Sequence, residues 1–111
     1  MARYLIQASY TPEAWAAQLK NPQDRRQAAA ALIERLGGRI ETWDYAFGDY
    51  DVVGIGELPD NVSAAAAGMA IMASGAMKAY KTTPLLSSAE GLAAIRKAAE
   101  VAAMYQPPTS G

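Results

Sequence analysis

Histidine and cysteine are both absent from this chain of 111 residues. Without histidine, the side chain that most often serves as a general base, a transition-metal ligand or a haem ligand is missing. Without cysteine, disulfides, thiolate nucleophiles and thiolate metal sites are excluded, which fits a reducing compartment. Gly54 and Gly56 lie in a predicted strand and lack the third glycine of a dinucleotide-binding fingerprint. We therefore expect no haem, flavin or metal cofactor.

The chain also lacks an excess of either charge and lacks a long hydrophobic run. Ten basic and eleven acidic residues leave a net charge of −1, so there is no electrostatic case for nucleic acid or an anionic membrane. The longest small and apolar stretch, residues 62–77, is rich in alanine and too weakly hydrophobic to span a bilayer. The N-terminus has no pattern of a signal peptide. We expect a cytoplasmic protein without nucleic-acid or membrane partners.

One stretch, residues 46–57 (AFGDYDVVGIGE), organises the rest of the chain. A strand over residues 39–47 is predicted to enter it and a second strand, over residues 50–57, to leave it. Gly48 and Asp49 between them favour a tight hairpin turn. Gly54 and Gly56 share one face of the second strand, which leaves room there for another backbone or a large aromatic ring.

The remaining elements are predicted from periodicity and capping signals. A strand over residues 3–10 leads into Thr11 and Pro12, a hydroxyl cap followed by proline at the first helical position. A second helix over residues 22–36, capped by Asn21, ends at a glycine pair. A helix after Pro59, a strand over residues 77–83 and a final helix opened by a capping box follow.

This order, βαββαβ with a terminal helix, predicts an α+β fold with a four-stranded antiparallel sheet and helices on one face. The chain is long enough to form one domain, residues 1–105, followed by a flexible tail, residues 106–111. Three apolar helix faces are predicted: Ala28, Ala29, Leu32, Ile33 and Leu36; Val62, Ala65, Met69 and Met72; Leu92, Ile95, Ala99 and Ala102. Arg25 and Arg26 are predicted to lie in solvent.

The aromatic residues of the hairpin predict self-association. Trp43, Tyr45 and Phe47 alternate along the first strand, with Ile40 on its opposite face, and Tyr50 follows the turn. Two helices cannot cover all these rings, so the sheet face opposite the helices should be apolar enough to need a partner. We expect a homodimer or larger closed oligomer built by sheet-on-sheet packing.

Several short motifs resemble those of the GYD domain family, a group of small bacterial proteins. They are Gly48, Tyr50 and Asp51 in FGDYDVV, Tyr10-Thr11, Leu36-Gly37-Gly38, and the alanine-rich helix after Pro59-Asp60. The similarity runs from Arg3 to about Ile95. It implies a ferredoxin-like subunit that forms a dimeric α/β barrel, and it implies no settled activity. Some related barrel families rely on a histidine for their chemistry, and this chain has none.

Tyr50 and Asp51 are the best catalytic candidates. A buried Asp51 carboxylate with a raised pKa could act as an acid or base, with the Tyr50 phenol orienting a substrate oxygen. The structural alternative, which we favour, is that Asp51 accepts hydrogen bonds from backbone amides of the turn and fixes the hairpin register.

Tyr10, Trp15 and Trp43 are the candidates for ligand binding, because they could line an aromatic pocket between sheet and helices. Ordinary core or interface packing is the alternative for each ring. Two functional hypotheses follow. The chain either binds a small apolar or aromatic molecule, with or without catalysis, or it is a non-catalytic oligomeric assembly or accessory protein.

Overall fold

Four strands form one antiparallel sheet in the computed structural model, which describes residues 1–110. In chain order the elements are β1 (Ala2–Tyr10), α1 (Pro12–Lys20), α2 (Arg25–Arg35), β2 (Arg39–Tyr45), β3 (Val52–Leu58), α3 (Asn61–Ala73), β4 (Met77–Leu85), α4 (Ser88–Val101) and a 3-10 turn (Ala102–Met104). The strand order is β2-β3-β1-β4. The predicted α+β class and four-stranded antiparallel sheet are confirmed. Gly111, the end of the predicted tail, lies outside the described residues.

Alternation along the central strands places small and large residues together on a helix-covered face. Tyr4, Ile6 and Ala8 of β1 are buried there, opposite Gly56, Gly54 and Val52 of β3. The core joins this face to Ile33 of α2 and to Ala64 and Ala67 of α3. A methyl group at Gly54 would lie only 2.9 Å from the Thr42 carbonyl oxygen and 3.0 Å from the Trp43 ring. The predicted role of this glycine, close approach of an aromatic ring, is confirmed.

An irregularity in β2 changes which side chains share a face. The register with β3 shifts between Ile40 and Thr42, so Ile40 pairs with Gly56 while Trp43 pairs with Gly54. Both side chains therefore lie over the helix-covered face, and the prediction that Ile40 opposes Trp43 is wrong. Phe47 is fully exposed because β2 ends two residues before it. Alternation cannot reveal an inserted residue, since a bulge exchanges the faces beyond it.

The turn between β2 and β3 is longer than the two-residue hairpin that the sequence predicts. Residues 46–51 form the connection, and it is closed by a 2.8 Å hydrogen bond from the Ala46 amide to the Asp51 carbonyl oxygen. Gly48 does not use a left-handed conformation; in residues 1–110 only Gly37 and Gly75 have positive φ angles, +88° and +79°. A loop of this length removes the need for such a residue.

Helix starts follow the predicted caps with one exception. Thr11 caps α1 and Ser87 caps α4, where Ser87 and Glu90 form the predicted capping box. The helix predicted after Pro59 is α3, and Asp60 caps it. Asn21, however, ends α1 by donating its amide to the Ala17 carbonyl oxygen, so it does not start α2. Asp24 caps α2 instead, through a 2.9 Å hydrogen bond from the Arg26 amide, and the helix begins at Arg25 rather than at residue 22.

The apolar face predicted for α3 points away from the sheet. Val62 and Met69 are 79% and 71% exposed, whereas Ala64 and Ala67 are buried. Small residues allow the closer approach: a methyl group at Gly68 would lie 3.1 Å from the Tyr80 ring. The apolar residues predicted along α4 are also exposed, and α4 packs mainly against the short turn that follows it. No helix within residues 1–110 has the length and apolar character needed to cross a membrane.

The sheet face opposite the helices carries a smaller apolar patch, which we call the outer face. Leu5, Val53, Ile55 and Leu85 lie on it and are half-buried. Charged pairs border the patch: Arg3 contacts Glu41 at 2.8 Å, and Arg39 contacts Glu57. The outer face is thus aliphatic rather than aromatic, because Trp43 packs on the helix-covered side.

Candidate functional site

A cavity of about 290 Å³ lies between the helix-covered face, α2 and the C-terminal half of α3. Most of the cavity wall is apolar. Its apolar residues are Ile6, Ala28, Ala29, Leu32, Ile33, Ile40, Ala70, Ile71, Ala76 and Met77. The alanines of α2 and α3 create the space, because larger side chains at these positions would fill it. An apolar cavity of this size, with few polar groups, is typical of sites for small organic molecules.

Three aromatic side chains complete the wall: Tyr10, Trp43 and Tyr80. Tyr10 is only 2% exposed. Burial is the main reason that the pKa values of the Tyr10 and Tyr80 phenols are raised, so both are protonated near neutral pH. Tyr45 acts on the pKa of Tyr10 in the same direction, while the positive charge of Arg25 acts against it. The phenols can therefore donate hydrogen bonds.

Two polar atoms on these aromatic side chains make no hydrogen bond of normal length and angle within residues 1–110, although Arg25 lies close enough to the Tyr10 phenol to act on its pKa. They are the Tyr10 hydroxyl oxygen and the Trp43 indole nitrogen, and both are buried. A buried polar group without a hydrogen bond costs about 1–3 kcal/mol, so such groups are uncommon unless they serve a purpose. Arg25 and Ser74 are the other polar residues in the cavity wall. Polar groups in the cavity wall are thus few.

Asp51 lies behind Tyr10 rather than in the cavity wall. Its Oδ2 atom accepts a 2.9 Å hydrogen bond from the Tyr10 amide and a 3.2 Å bond from the Trp15 indole N–H. The Trp15 ring in turn meets the Tyr10 ring edge to face, with centroids 5.1 Å apart. The Tyr10 amide lies where the β1–β4 register shifts. Asp51 therefore holds the end of β1 and the Trp15 side chain, and through both it positions Tyr10.

The residues predicted for the site divide into three groups. Tyr10 and Trp43 line the cavity, while Trp15 and Asp51 support Tyr10 from outside it. Gly48 and Tyr50 lie in the loop after β2, and neither is among the residues that line the cavity. No three Asp or Glu side chains in the described part of the chain are grouped as a metal site requires.

Arg25 is a site residue that the sequence prediction placed in solvent. It is half-buried, and it also borders a second, open groove of about 340 Å³ that shares Tyr10 and Ser74 with the cavity. A signal for its position was available, because Arg25 precedes Ala29 by four residues and Leu32 by seven, which puts all three on one helix face. The prediction placed Arg25 in solvent because of its charge.

Tyr80 is the second site residue that the prediction missed. Its neighbours Lys78 and Lys81 are typical of a solvated edge strand, and β4 lies at the sheet edge. The register shift pairs Met77 with Tyr10 and Tyr80 with Ala8, so Met77 and Tyr80 share the helix-covered face despite their odd spacing. No local pattern indicates this arrangement.

Comparison with known proteins identifies one family. The family model described as the GYD domain matches residues 4–95, which include all of β3 and β4 and the start of α4. Among curated proteins, none matches this chain. The matched segment contains every residue of the cavity wall and both partners of the Asp51 carboxylate.

Proposed function

The chain belongs to the GYD domain family, and we propose that it binds a small apolar or aromatic molecule in the cavity between its sheet and helices α2 and α3. One observation carries the proposal: Tyr10 and Trp43 each present a buried polar atom without a partner beside an otherwise apolar space. Aromatic rings supply apolar contact area, and their polar atoms can orient a ligand.

The size of the cavity limits the ligand. A volume of about 290 Å³ is close to the lower end of the range for ligand pockets, so a molecule with one or two rings is the expected occupant. Asp51 has a positioning role in this proposal, since its carboxylate orients Tyr10 and Trp15. Direct contact of Tyr50 or Asp51 with a reacting molecule stays a prediction of the sequence alone.

Tryptophan fluorescence provides the test, because one of the two tryptophans lines the cavity. The unmodified chain is titrated with toluene, benzyl alcohol, benzamide and benzoate, and the Trp15→Phe variant, in which Trp43 is the only tryptophan, assigns the response to Trp43. We expect a saturable change in emission with at least one of them. Ala29→Phe, which fills the cavity, should abolish the change. Ala31→Phe, at an exposed position of the same helix, is the matched control and should preserve it.

Two results would contradict the binding proposal. The first is the absence of a saturable response to any of these compounds. The second is an equal response in the Ala29→Phe and Ala31→Phe variants, because binding outside the cavity would be insensitive to its filling. Denaturant midpoints of both variants establish that each is folded before its titration is compared with that of the parent protein.

Self-association is the second function that specific observations favour, and it is compatible with ligand binding. The Cα radius of gyration is 18.1 Å, compared with about 13 Å for a compact chain of this length. The excess reflects α4, whose Leu92 and Ile95 side chains are exposed. We propose that two ferredoxin-like subunits pack their outer faces together as a dimeric α/β barrel, with α4 against the partner copy.

In this assembly, the partner copy covers the exposed apolar surface. Leu5, Val53, Ile55 and Leu85 on the outer face suit a sheet-on-sheet contact, and the charged pairs around them suit a polar rim. An accessory or assembly protein without a ligand would need only this surface. The cavity titration therefore separates the two functions, since a pure assembly protein should not bind any of the ring compounds. A cytoplasmic location stays a prediction.

A further inference from the structure

The polar groups of the cavity wall are mainly hydrogen-bond donors. An indole N–H can only donate, a guanidinium has five N–H groups and no acceptor, and a protonated phenol can donate its single proton. Trp43, Arg25 and Tyr10 supply these three groups. The Ser74 hydroxyl is already engaged, since it donates to the Ile71 carbonyl oxygen at 2.6 Å and accepts from the Ala76 amide at 3.2 Å. A ligand that satisfies this wall therefore has to bring acceptor atoms.

The charge of the wall has one sign. Arg25 is the only ionisable residue with a full charge near neutral pH among those that line the cavity within residues 1–110. One of its nitrogens, Nη1, donates to the Gln23 Oε1 atom at 3.2 Å, and the guanidinium also approaches the Tyr10 phenol, whose pKa it acts to lower. The N–H groups that these two contacts leave free can donate to a ligand. Acidic groups near this end of the sheet lie outside the cavity wall: Asp51 is engaged by Tyr10 and Trp15, Asp24 caps α2, and Glu13 lines the open groove that Arg25 also borders.

We infer that the ligand is a small ring compound with a carboxylate, whose oxygens accept hydrogen bonds from Tyr10, Trp43 and Arg25 while the ring contacts the apolar wall. This inference rests on the proposed function, and it narrows the ligand class from apolar molecules in general to aromatic or alicyclic carboxylates. A carboxylate provides two acceptor oxygens and a matching charge, and charge-assisted hydrogen bonds are about twice as strong as neutral ones. Side-chain adjustments of the kind that commonly accompany binding would bring the buried phenol and indole atoms to the carboxylate.

Calorimetric titration with benzoate and benzamide tests the inference, because the two compounds share a ring and differ in charge. For the unmodified chain we expect benzoate to bind about tenfold more tightly or better, as a charge-assisted hydrogen bond requires. Arg25→Gln should remove this preference, because it removes the charge that distinguishes the two compounds. Arg26→Gln is the matched control, since Arg26 is the exposed neighbour and does not line the cavity.

Tyr10→Phe supplies an independent readout. Removing an unpaired buried hydroxyl should leave the stability of the ligand-free protein unchanged or higher, while benzoate affinity falls several-fold. Trp43→Phe, which removes the indole donor, should lower benzoate affinity in the same way. Loss of stability in Tyr10→Phe would indicate that the hydroxyl already has a partner, and would overturn the inference.

The outcomes distinguish this inference from the binding proposal. If benzamide binds as tightly as benzoate, or if Arg25→Gln keeps the preference for benzoate, the inference of a carboxylate ligand is wrong. The proposal that the cavity binds a small molecule is then unaffected. If the cavity responds to toluene or benzyl alcohol alone, the same conclusion follows. If none of the ring compounds binds, the binding proposal fails together with the inference.

Discussion

Replacing Asp51 by alanine should destabilise the protein through the backbone of Tyr10. The carboxylate accepts hydrogen bonds from the Tyr10 amide at 2.9 Å and from the Trp15 indole at 3.2 Å. Tyr10 is 2% exposed, so its amide would lose its partner in a place with little access to solvent. Trp15 is 36% exposed, and its indole N–H can turn towards water.

The two hydrogen bonds differ in their expected contributions. A buried amide that loses a charged acceptor costs about 1–3 kcal/mol, whereas the partly exposed indole should add about 0.5 kcal/mol. We expect Asp51→Ala to lower the free energy of unfolding by about 2–3 kcal/mol. Asp51→Asn keeps an acceptor oxygen but forms neutral hydrogen bonds, which are about half as strong, so it should recover about half of the loss.

Urea unfolding of the unmodified chain, Asp51→Ala and Asp51→Asn measures these differences, at one fixed protein concentration because self-association would shift the apparent stability. Asp49→Ala is the matched control: it removes an exposed carboxylate from the same loop, and only its backbone oxygen bonds elsewhere, to Ser9. The control should change stability by less than about 0.5 kcal/mol. Equal or higher stability of Asp51→Ala would refute the positioning role and favour a carboxylate that acts on a ligand.

Three further predictions concern the fold, the caps and the assembly. Gly38→Ala should lower the free energy of unfolding by at least about 2–3 kcal/mol, because its methyl group would lie 2.0 Å from the Glu57 carbonyl oxygen. Gly48→Ala is the comparison: its methyl group meets open space, so chemical denaturation should show almost no change. The pKa of Glu90 is lowered by its hydrogen bonds with Ser87, so this stabilisation is present above the ordinary glutamate value of 4.5 and is lost as the pH falls through the folded value. Circular dichroism should show helix loss on acidification, with a weaker pH dependence in Glu90→Gln. Light scattering at micromolar concentration should show at least a dimer, formed through the outer face and α4. A monomer would contradict the proposed barrel. Replacing both Leu92 and Ile95 by serine should weaken a dimer that uses α4.

Local patterns predicted most of the secondary structure, because the signals concerned act within a few residues. The cap at Thr11 followed by Pro12 and the capping box of Ser87 and Glu90 are confirmed. Each satisfies backbone amides of the first helical turn, a requirement that does not depend on the rest of the fold. The alternation of β1 likewise has a local cause, since successive side chains of a strand point to opposite faces.

The candidate site was predicted only in part. Tyr10 and Trp43 were identified as pocket residues because large aromatic side chains near strand ends stand out in the sequence, and both line the cavity. Arg25 was missed because its charge predicts a place in solvent, although its spacing from Ala29 and Leu32 puts it on their helix face. Tyr80 was missed because a register shift in β4 lies between it and Met77. Asp51 was interpreted as a residue that bonds the turn, yet its partners are Tyr10 and Trp15.

The sequence by itself determined the α+β class, the order of strands and helices, and the close packing over Gly54, since propensity, capping and the lack of a side chain are properties of short segments. Tertiary structure decided which faces meet. Helix α3 is apolar nearly all round, so its sequence offers no contrast between faces, and the sheet selects the alanines that permit the closest approach. Bulges in β2 and β4 exchange the faces of the residues beyond them, and their cause lies in pairing with distant strands. The cavity exists because these long-range choices bring Arg25, Trp43 and Tyr80 to Tyr10.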